Sequence, residues 1–142
     1  MSAAASGVVR LRARVAAFLV DAAFVLLFAT VGRASHREGL SVAGVLEVAW
    51  PFLVALVVGW AAATRLRGWP VGVPGAEVVW LVTVVLGLGL RVLSGGGFAW
   101  SFGVVTLLVL GLFLVGWRCA VAVLRFGGEG VARWSARVTD RR

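Results

Sequence analysis

The hydrophobic positions of this chain form four long apolar stretches with short polar segments between them. The stretches run over Val15–Val31, Val42–Ala63, Val78–Leu93 and Phe98–Leu124. A membrane-crossing helix needs about 20 apolar residues, because the hydrocarbon core is about 30 Å thick and a helix rises about 1.5 Å per residue. The pattern therefore predicts an all-α membrane protein, a bundle of four transmembrane helices whose short connections make neighbouring helices antiparallel.

The overall composition agrees with this pattern. The chain of 142 residues is 61% hydrophobic and only 14% charged. Its net charge is +8, and every basic residue is an arginine. In a soluble chain this charge would suggest nucleic acid as a partner. In a membrane chain the same positive charge determines which side faces the cytoplasm and allows contact with anionic lipid. We therefore expect no nucleic-acid partner.

The arginines are distributed unevenly between the two sides of the predicted bundle. One side holds the N-terminal segment, the loop between spans two and three, and the C-terminal tail, and it carries most of the arginines. By the positive-inside rule both termini are predicted to be cytoplasmic, in a multi-pass protein of the cell (plasma) membrane, the inner membrane of a prokaryote. The domains are then a basic N-terminus (1–14), a transmembrane domain (15–124) and a basic tail (125–142).

The two terminal segments each admit more than one interpretation. Arg10, Arg12 and Arg14 before an apolar run resemble the start of a signal peptide, but Asp21 within the run favours a retained first span. In the tail, the apolar and basic residues recur at helical spacing. This favours a short amphipathic helix on the membrane surface, with arginines at anionic lipid headgroups, or else a disordered basic tail; the sequence does not decide between them.

Ionisable residues inside the spans are predicted to form two clusters, since such residues are costly in lipid and usually pair in the bundle interior. Depth along the helices predicts an inner cluster of Asp21, Arg118 and Glu77. It also predicts an outer cluster of Arg33, His36, Glu47 and Arg91. We interpret both as ion pairs that set helix register, or alternatively as a proton, ion or anion path. His36 is either an ordinary loop residue or a pH-sensitive group.

Small residues recur on one face of span two and one face of span three. On span two the stripe includes Ala43, Glu47 and Pro51, followed by Ala55, Gly59 and Ala63. On span three it is Thr83, Gly87 and Arg91. Small residues at this spacing let helices approach closely, so the two stripes are predicted to face each other and to bring Glu47 against Arg91 in a salt bridge. The tryptophans Trp60, Trp69, Trp80 and Trp117 are predicted to lie at the inner interface.

Sequence signatures of catalysis are absent. The chain has no nucleophile elbow, no zinc-protease motif and no phosphate-binding loop. Its one cysteine, Cys119, forms neither an intrachain disulfide nor a cysteine-rich metal site. We therefore expect no enzymatic activity, catalytic residue, metal or cofactor.

Several short motifs resemble those of a known family. They are Asp21 in span one, Gly32-Arg33-Ala34-Ser35-His36, Ala49-Trp50-Pro51-Phe52, Gly59-Trp60, Arg91 and Gly116-Trp117-Arg118. Together they resemble a prokaryotic membrane family filed as domain of unknown function 3054, over about Arg12 to Leu124. The resemblance implies a small protein with several membrane spans. The family has no assigned activity, so the resemblance leaves the function open.

The sequence thus favours an integral membrane protein of structural or accessory type. The alternative is a small transporter or channel that uses the intramembrane charge clusters and works as a homo-oligomer. In outline this chain is similar to small multidrug-resistance transporters, which carry an acidic residue in the first of four spans. Water access separates the two hypotheses, because a transporter needs a hydrated charge cluster and a scaffold needs dry, fully paired ones.

Overall fold

The computed structural model describes residues 3–34 and 41–126, and this part of the chain consists of helices and short connections. The helices are α1 (Ala3–Ala34), α2 (Val42–Arg67), α3 (Ala76–Leu93) and α4 (Trp100–Leu114). A turn at Val115 ends α4, and the chain is helical again over 116–126. Four helices are long and apolar enough to cross a membrane, which confirms the predicted fold class.

The first helix begins earlier than the apolar pattern predicts. Residues 3–14 belong to α1, so the basic N-terminal segment continues the first span as one helix of 32 residues. Such a helix is about 48 Å long, which exceeds the hydrocarbon thickness and extends its arginine-bearing turns beyond it. The predicted amphipathic helix of the tail and the loop that contains His36 lie outside the described residues.

The four helices form a closed ring. Each helix packs against its neighbour in sequence, and α4 returns to contact α1. The shared core includes Val25 and Phe28 of α1, Phe52 and Leu56 of α2, and Leu110. The outward surface is also apolar, with Val85, Leu108 and Leu112 each well over half exposed. Such a surface suits lipid rather than water.

The closest helix pair is α2 with α3, and small residues make this approach possible. Ala55 and Ala63 have no exposed surface. A Cβ atom on Gly59 would lie 3.0 Å from the carbonyl oxygen of Val79, and a Cβ on Gly87 would meet the ring of Phe52. Of the predicted packing residues, Gly59 and Gly87 therefore lie at this interface, and Ala55 and Ala63, four positions to either side of Gly59, are buried.

The first part of the predicted stripe on α2 does not belong to that interface. Ala43 and Glu47 are exposed, whereas Gly44 is buried. Positions four apart drift by about 40° per step in a helix of 3.6 residues per turn, so three steps turn a side chain by about 120°. The predicted i+4 stripe therefore extends too far toward the start of α2. Gly44, the buried residue of this first turn, lies against Arg33 of α1.

Candidate functional site: a buried aspartate–arginine pair

Asp21 lies on the inward face of α1. Ala17, Val25 and Phe28 share this face, and all of them are buried in the bundle core. Their spacing along the helix places Asp21 in the same stripe. The carboxylate therefore has no exposed surface, and every partner that it needs must come from the protein.

Arg118 follows the turn that interrupts the last helix. Its backbone N–H donates to the carbonyl of Val115 at 3.1 Å, three residues back, rather than to that of Leu114. The Leu114 carbonyl accepts instead from the Nη1 atom of Arg118. The break in α4 thus frees a buried carbonyl, and the guanidinium one turn later satisfies it.

The connection between α2 and α3 folds back into the bundle and supplies a second carbonyl. Pro70 is buried there, and its carbonyl oxygen accepts from Nε of Arg118 at 3.0 Å and from Nη2 at 2.8 Å. Gly68 and Gly75 bracket this loop with φ values of 81° and 92°, a conformation that glycine adopts without strain. We refer to this side of the molecule as the Pro70 end and to the opposite side, where α3 joins α4, as the Ser94 end.

The carboxylate and the guanidinium meet in a two-point ion pair. Nη1 donates to Oδ1 and Nη2 donates to Oδ2 of Asp21, each at 2.8 Å. Both side chains are 0% exposed. The predicted contact between Asp21 and Arg118 is confirmed, in the parallel fork geometry that makes such bonds strongest.

Two tryptophans complete the bonding of the carboxylate. The indole N–H of Trp60 donates to Oδ2 at 2.9 Å, and that of Trp117 donates to Oδ1 at 3.0 Å. The Arg118 guanidinium carbon also lies 4.6 Å from the ring centre of Trp117. The sequence predicts both tryptophans at the inner interface, and the structure adds that their N–H groups point into the bundle.

Every bonding position of this pair is used. Each carboxylate oxygen of Asp21 accepts two hydrogen bonds, and the five N–H donors of Arg118 all have an acceptor. We call this set the ion-pair network; its members are Asp21, Trp60, Pro70, Leu114, Trp117 and Arg118. It links α1, α2, the α2–α3 loop and both halves of the last helix at one point. No oxygen or nitrogen of the pair remains available for a ligand.

An open groove of about 630 Å³ lies beside the network at the Pro70 end. The loop over residues 71–74 forms one wall of the groove, and α1 and the helical segment 116–126 form the others. Trp117 and Arg118 border the groove from the inside, and Arg125 and Phe126 lie at its outer part. Its lining is mostly apolar.

Glu77 does not belong to the inner cluster, contrary to the prediction. Its Oε2 atom accepts from the backbone N–H of Gly75 at 3.1 Å. A carboxylate in the first turn of a helix is favoured by the unpaired N–H groups there. Arg118, whose donors are all engaged by other acceptors, has none to offer it.

The predicted salt bridge of the outer cluster does not form. Within residues 3–34 and 41–126, Glu47 and Arg91 make no ion pair with each other; Glu47 is exposed, and the Arg91 guanidinium carbon lies 4.7 Å from the ring centre of Phe102. The α-helical drift that turns Glu47 off the α2–α3 face explains the error. Arg33 lies against Gly44, where a Cβ would be 2.6 Å from its Nε, and His36 lies outside the described residues.

The charged pair was predictable from the sequence, whereas the groups that complete its hydrogen bonds were not predicted. The repeated Gly-Trp motif, Gly59-Trp60 and Gly116-Trp117, was a usable signal, because both indoles bind the same carboxylate. The carbonyls of Pro70 and Leu114 carried no signal, because every residue has a carbonyl and only the fold selects these two. In the described part of the chain, no three acidic, histidine or cysteine side chains are grouped to hold a metal ion.

Comparison with known proteins identifies a family but no activity. Residues 18–121 match the family described as Protein of unknown function (DUF3054), and this range includes the whole ion-pair network. No curated protein and no solved structure matches the chain. Because the match covers most of the sequence, the chain belongs to this family of proteins of unknown function.

Proposed function

We propose that this protein is a non-enzymatic, multi-pass protein of the plasma membrane, whose role is structural or accessory. Its four helices would form a rigid unit with both termini on the cytoplasmic side. The observation that carries the proposal is the saturation of the ion-pair network, in which Asp21 and Arg118 have no bonding position left.

A proton or ion path needs a group that can exchange a proton or ligand with water. At least one of the four bonds that Asp21 accepts would have to break before its carboxylate could take a proton, and Arg118 would then be buried without a counter-charge. A network of this kind instead holds helices in one register. It ties the α2–α3 loop and the broken last helix to α1, which suits a scaffold that presents a constant surface to a partner.

The alternative function is a small oligomeric transporter or channel. The groove beside Arg118 and Trp117 is the observation that favours it, because it brings open space to the edge of the network. In that case Asp21 would have to change partners during a transport cycle. The two hypotheses therefore differ in whether the network opens.

A double-mutant cycle on the full-length protein tests whether the ion-pair network stabilises the fold, and a flux measurement then separates the two hypotheses. We expect Asp21→Leu and Arg118→Met, each alone, to lower the free energy of unfolding by about 3–5 kcal/mol, since each leaves one buried charge unpaired. The double variant should lose at least about 1 kcal/mol less than the sum of the single losses. Unfolding is followed in mixed micelles by titration with sodium dodecyl sulfate.

Proton flux into liposomes that contain the purified protein is measured in parallel, with a pH-sensitive dye inside the liposomes. A scaffold should give the same flux as protein-free liposomes, in both the natural protein and the double variant. Flux in the natural protein that disappears in a folded double variant would establish the transporter instead.

A further inference from the structure

The groove at the Pro70 end combines an apolar interior with a basic rim. Its inner part lies along the α1 positions Ala16, Ala17 and Val20, which together with Val121 form apolar walls. At its outer part lies Arg125, seven residues beyond Arg118 and therefore about 10 Å further along a helix. A surface that changes from apolar to basic over this distance matches the change from acyl chain to headgroup in a phospholipid.

The charge of the groove is positive among the residues that the structure describes. None of the described lining residues is acidic, and Arg118 is already neutralised by Asp21. Arg125, by contrast, is exposed and makes no ion pair or hydrogen bond within the described residues. Within the described part of the chain, the groove therefore offers the guanidinium of Arg125 without a counter-charge, and its planar donors suit a phosphate group.

The loop that forms one wall adds two further donors. The backbone N–H groups of Gly72 and Val73 donate to no acceptor in the part of the chain that the structure describes. Backbone N–H groups at the edge of a bilayer need a partner from water or from lipid headgroups. Together with Arg125 they give this end of the groove three sources of hydrogen bonds for an anion.

We propose that this groove binds one anionic phospholipid. The phosphate lies at Arg125 and the amides of Gly72 and Val73, and an acyl chain runs along Ala16, Ala17 and Val20 toward Trp117. Basic pockets between membrane helices on the cytoplasmic side are suited to such headgroups. The proposal rests on the membrane location given under the proposed function, but it requires neither a scaffold nor a transporter.

Native mass spectrometry of the full-length protein in neutral detergent tests this proposal. The protein is titrated with phosphatidylglycerol or with phosphatidylcholine of the same acyl chains. We expect one phosphatidylglycerol to bind at least about fivefold more tightly than phosphatidylcholine, the factor expected for about one arginine near an anionic headgroup. Equal affinity for the two lipids would overturn the proposal.

Two variants with matched controls locate the lipid. Arg125→Gln should weaken phosphatidylglycerol binding about fivefold, whereas Arg65→Gln, an exposed arginine at the same end but outside the groove, should change it less than about twofold. Ala13→Phe fills the groove without altering charge and should weaken binding, whereas Ala61→Phe on the outside of α2 should not. Equal effects of the two arginine variants would show diffuse attraction, and an unchanged Ala13→Phe would exclude the groove.

Competition with glycerol phosphate, a soluble anion, distinguishes a lipid site from a site for a soluble anion. Glycerol phosphate in large excess should leave bound phosphatidylglycerol in place, because the acyl chain contributes to binding. Full displacement by glycerol phosphate would assign the site to a soluble anion and overturn the lipid proposal. These binding results are independent of proton flux, so failure here and failure of the proposed function can be told apart.

Discussion

At the scale of single residues, the central feature is the burial of Asp21 and Arg118 among apolar side chains. Moving either charge alone out of water would cost several kcal/mol, and mutual attraction offsets this only when the remaining hydrogen bonds are also made. Here Trp60, Trp117 and two carbonyls make them. The tryptophans therefore matter for their N–H groups and not only for their apolar rings.

Loss of one indole N–H should measurably weaken the network. We expect Trp60→Phe to lower the free energy of unfolding by about 1.5–3 kcal/mol, the range for a hydrogen bond to a charged group, and Trp117→Phe to lower it by a smaller amount because Trp117 is partly exposed. Trp50→Phe is the matched control, since Trp50 is exposed and makes no hydrogen bond within the described residues. Titration with sodium dodecyl sulfate in mixed micelles gives the three values, and an equal loss in Trp50→Phe would refute this role.

At the scale of helices, close packing is concentrated where glycines remove side-chain bulk. The ring of Phe52 occupies the space that a side chain on Gly87 would take, and the Cε1 atom of that ring would lie 2.8 Å from an added Cβ. Gly111 similarly leaves room for the ring of Trp80, whose N–H donates to the carbonyl of Leu107 at 3.0 Å. These contacts join α2 to α3 and α3 to α4.

Two glycines of α3 allow a comparison within one helix. Gly87→Ala should lower the free energy of unfolding by about 1–3 kcal/mol, because it overpacks the contact with Phe52. Gly89→Ala should be neutral or stabilising by up to about 1 kcal/mol, since nothing lies within 4 Å of its added Cβ and alanine favours helix. Combining Gly87→Ala with Phe52→Leu should recover part of the loss. Equal effects of the two alanine substitutions would contradict this account of the α2–α3 interface.

At the scale of the whole molecule, the charged ends and the apolar circumference together define how the bundle would sit in a membrane. The Pro70 end carries Arg10, Arg12, Arg14, Arg65, Arg67 and Arg125, whereas the Ser94 end carries Arg33 and Arg91 within the described residues. The end of a membrane protein that carries more arginines usually faces the cytoplasm. We therefore expect the Pro70 end on the cytoplasmic side.

Cysteine labelling of intact cells tests this orientation. In a Cys119→Ala background, Ser94→Cys should react with a membrane-impermeant maleimide, because Ser94 is exposed and the proposed topology puts the Ser94 end outside the cell. Ser6→Cys should react only after the cells are permeabilised. Labelling of Ser6→Cys in intact cells would reverse the proposed topology, and labelling of both positions would show a mixed orientation.

Some properties of this protein follow from the order of its residues alone. Four long apolar stretches sufficed for the number and type of helices, because lipid permits hardly any other spanning structure. The scarcity of ionisable residues inside these stretches also made Asp21 and Arg118 natural partners, since neither is stable alone there. Small residues on α2 and α3 likewise predicted the contact between these two helices, because only small side chains permit such a close approach.

Other properties required the tertiary structure, because they depend on rotation about a helix axis and on the choice among many equivalent backbone groups. Glu47 and Arg91 match in depth, but the drift of an i+4 stripe turns Glu47 away from α3. The break at Val115 selects the Leu114 carbonyl, and the inward fold of the loop selects that of Pro70. Depth along a span is linear in sequence and can be counted, whereas the direction of a side chain and the path of a loop are set by the packing of all four helices together.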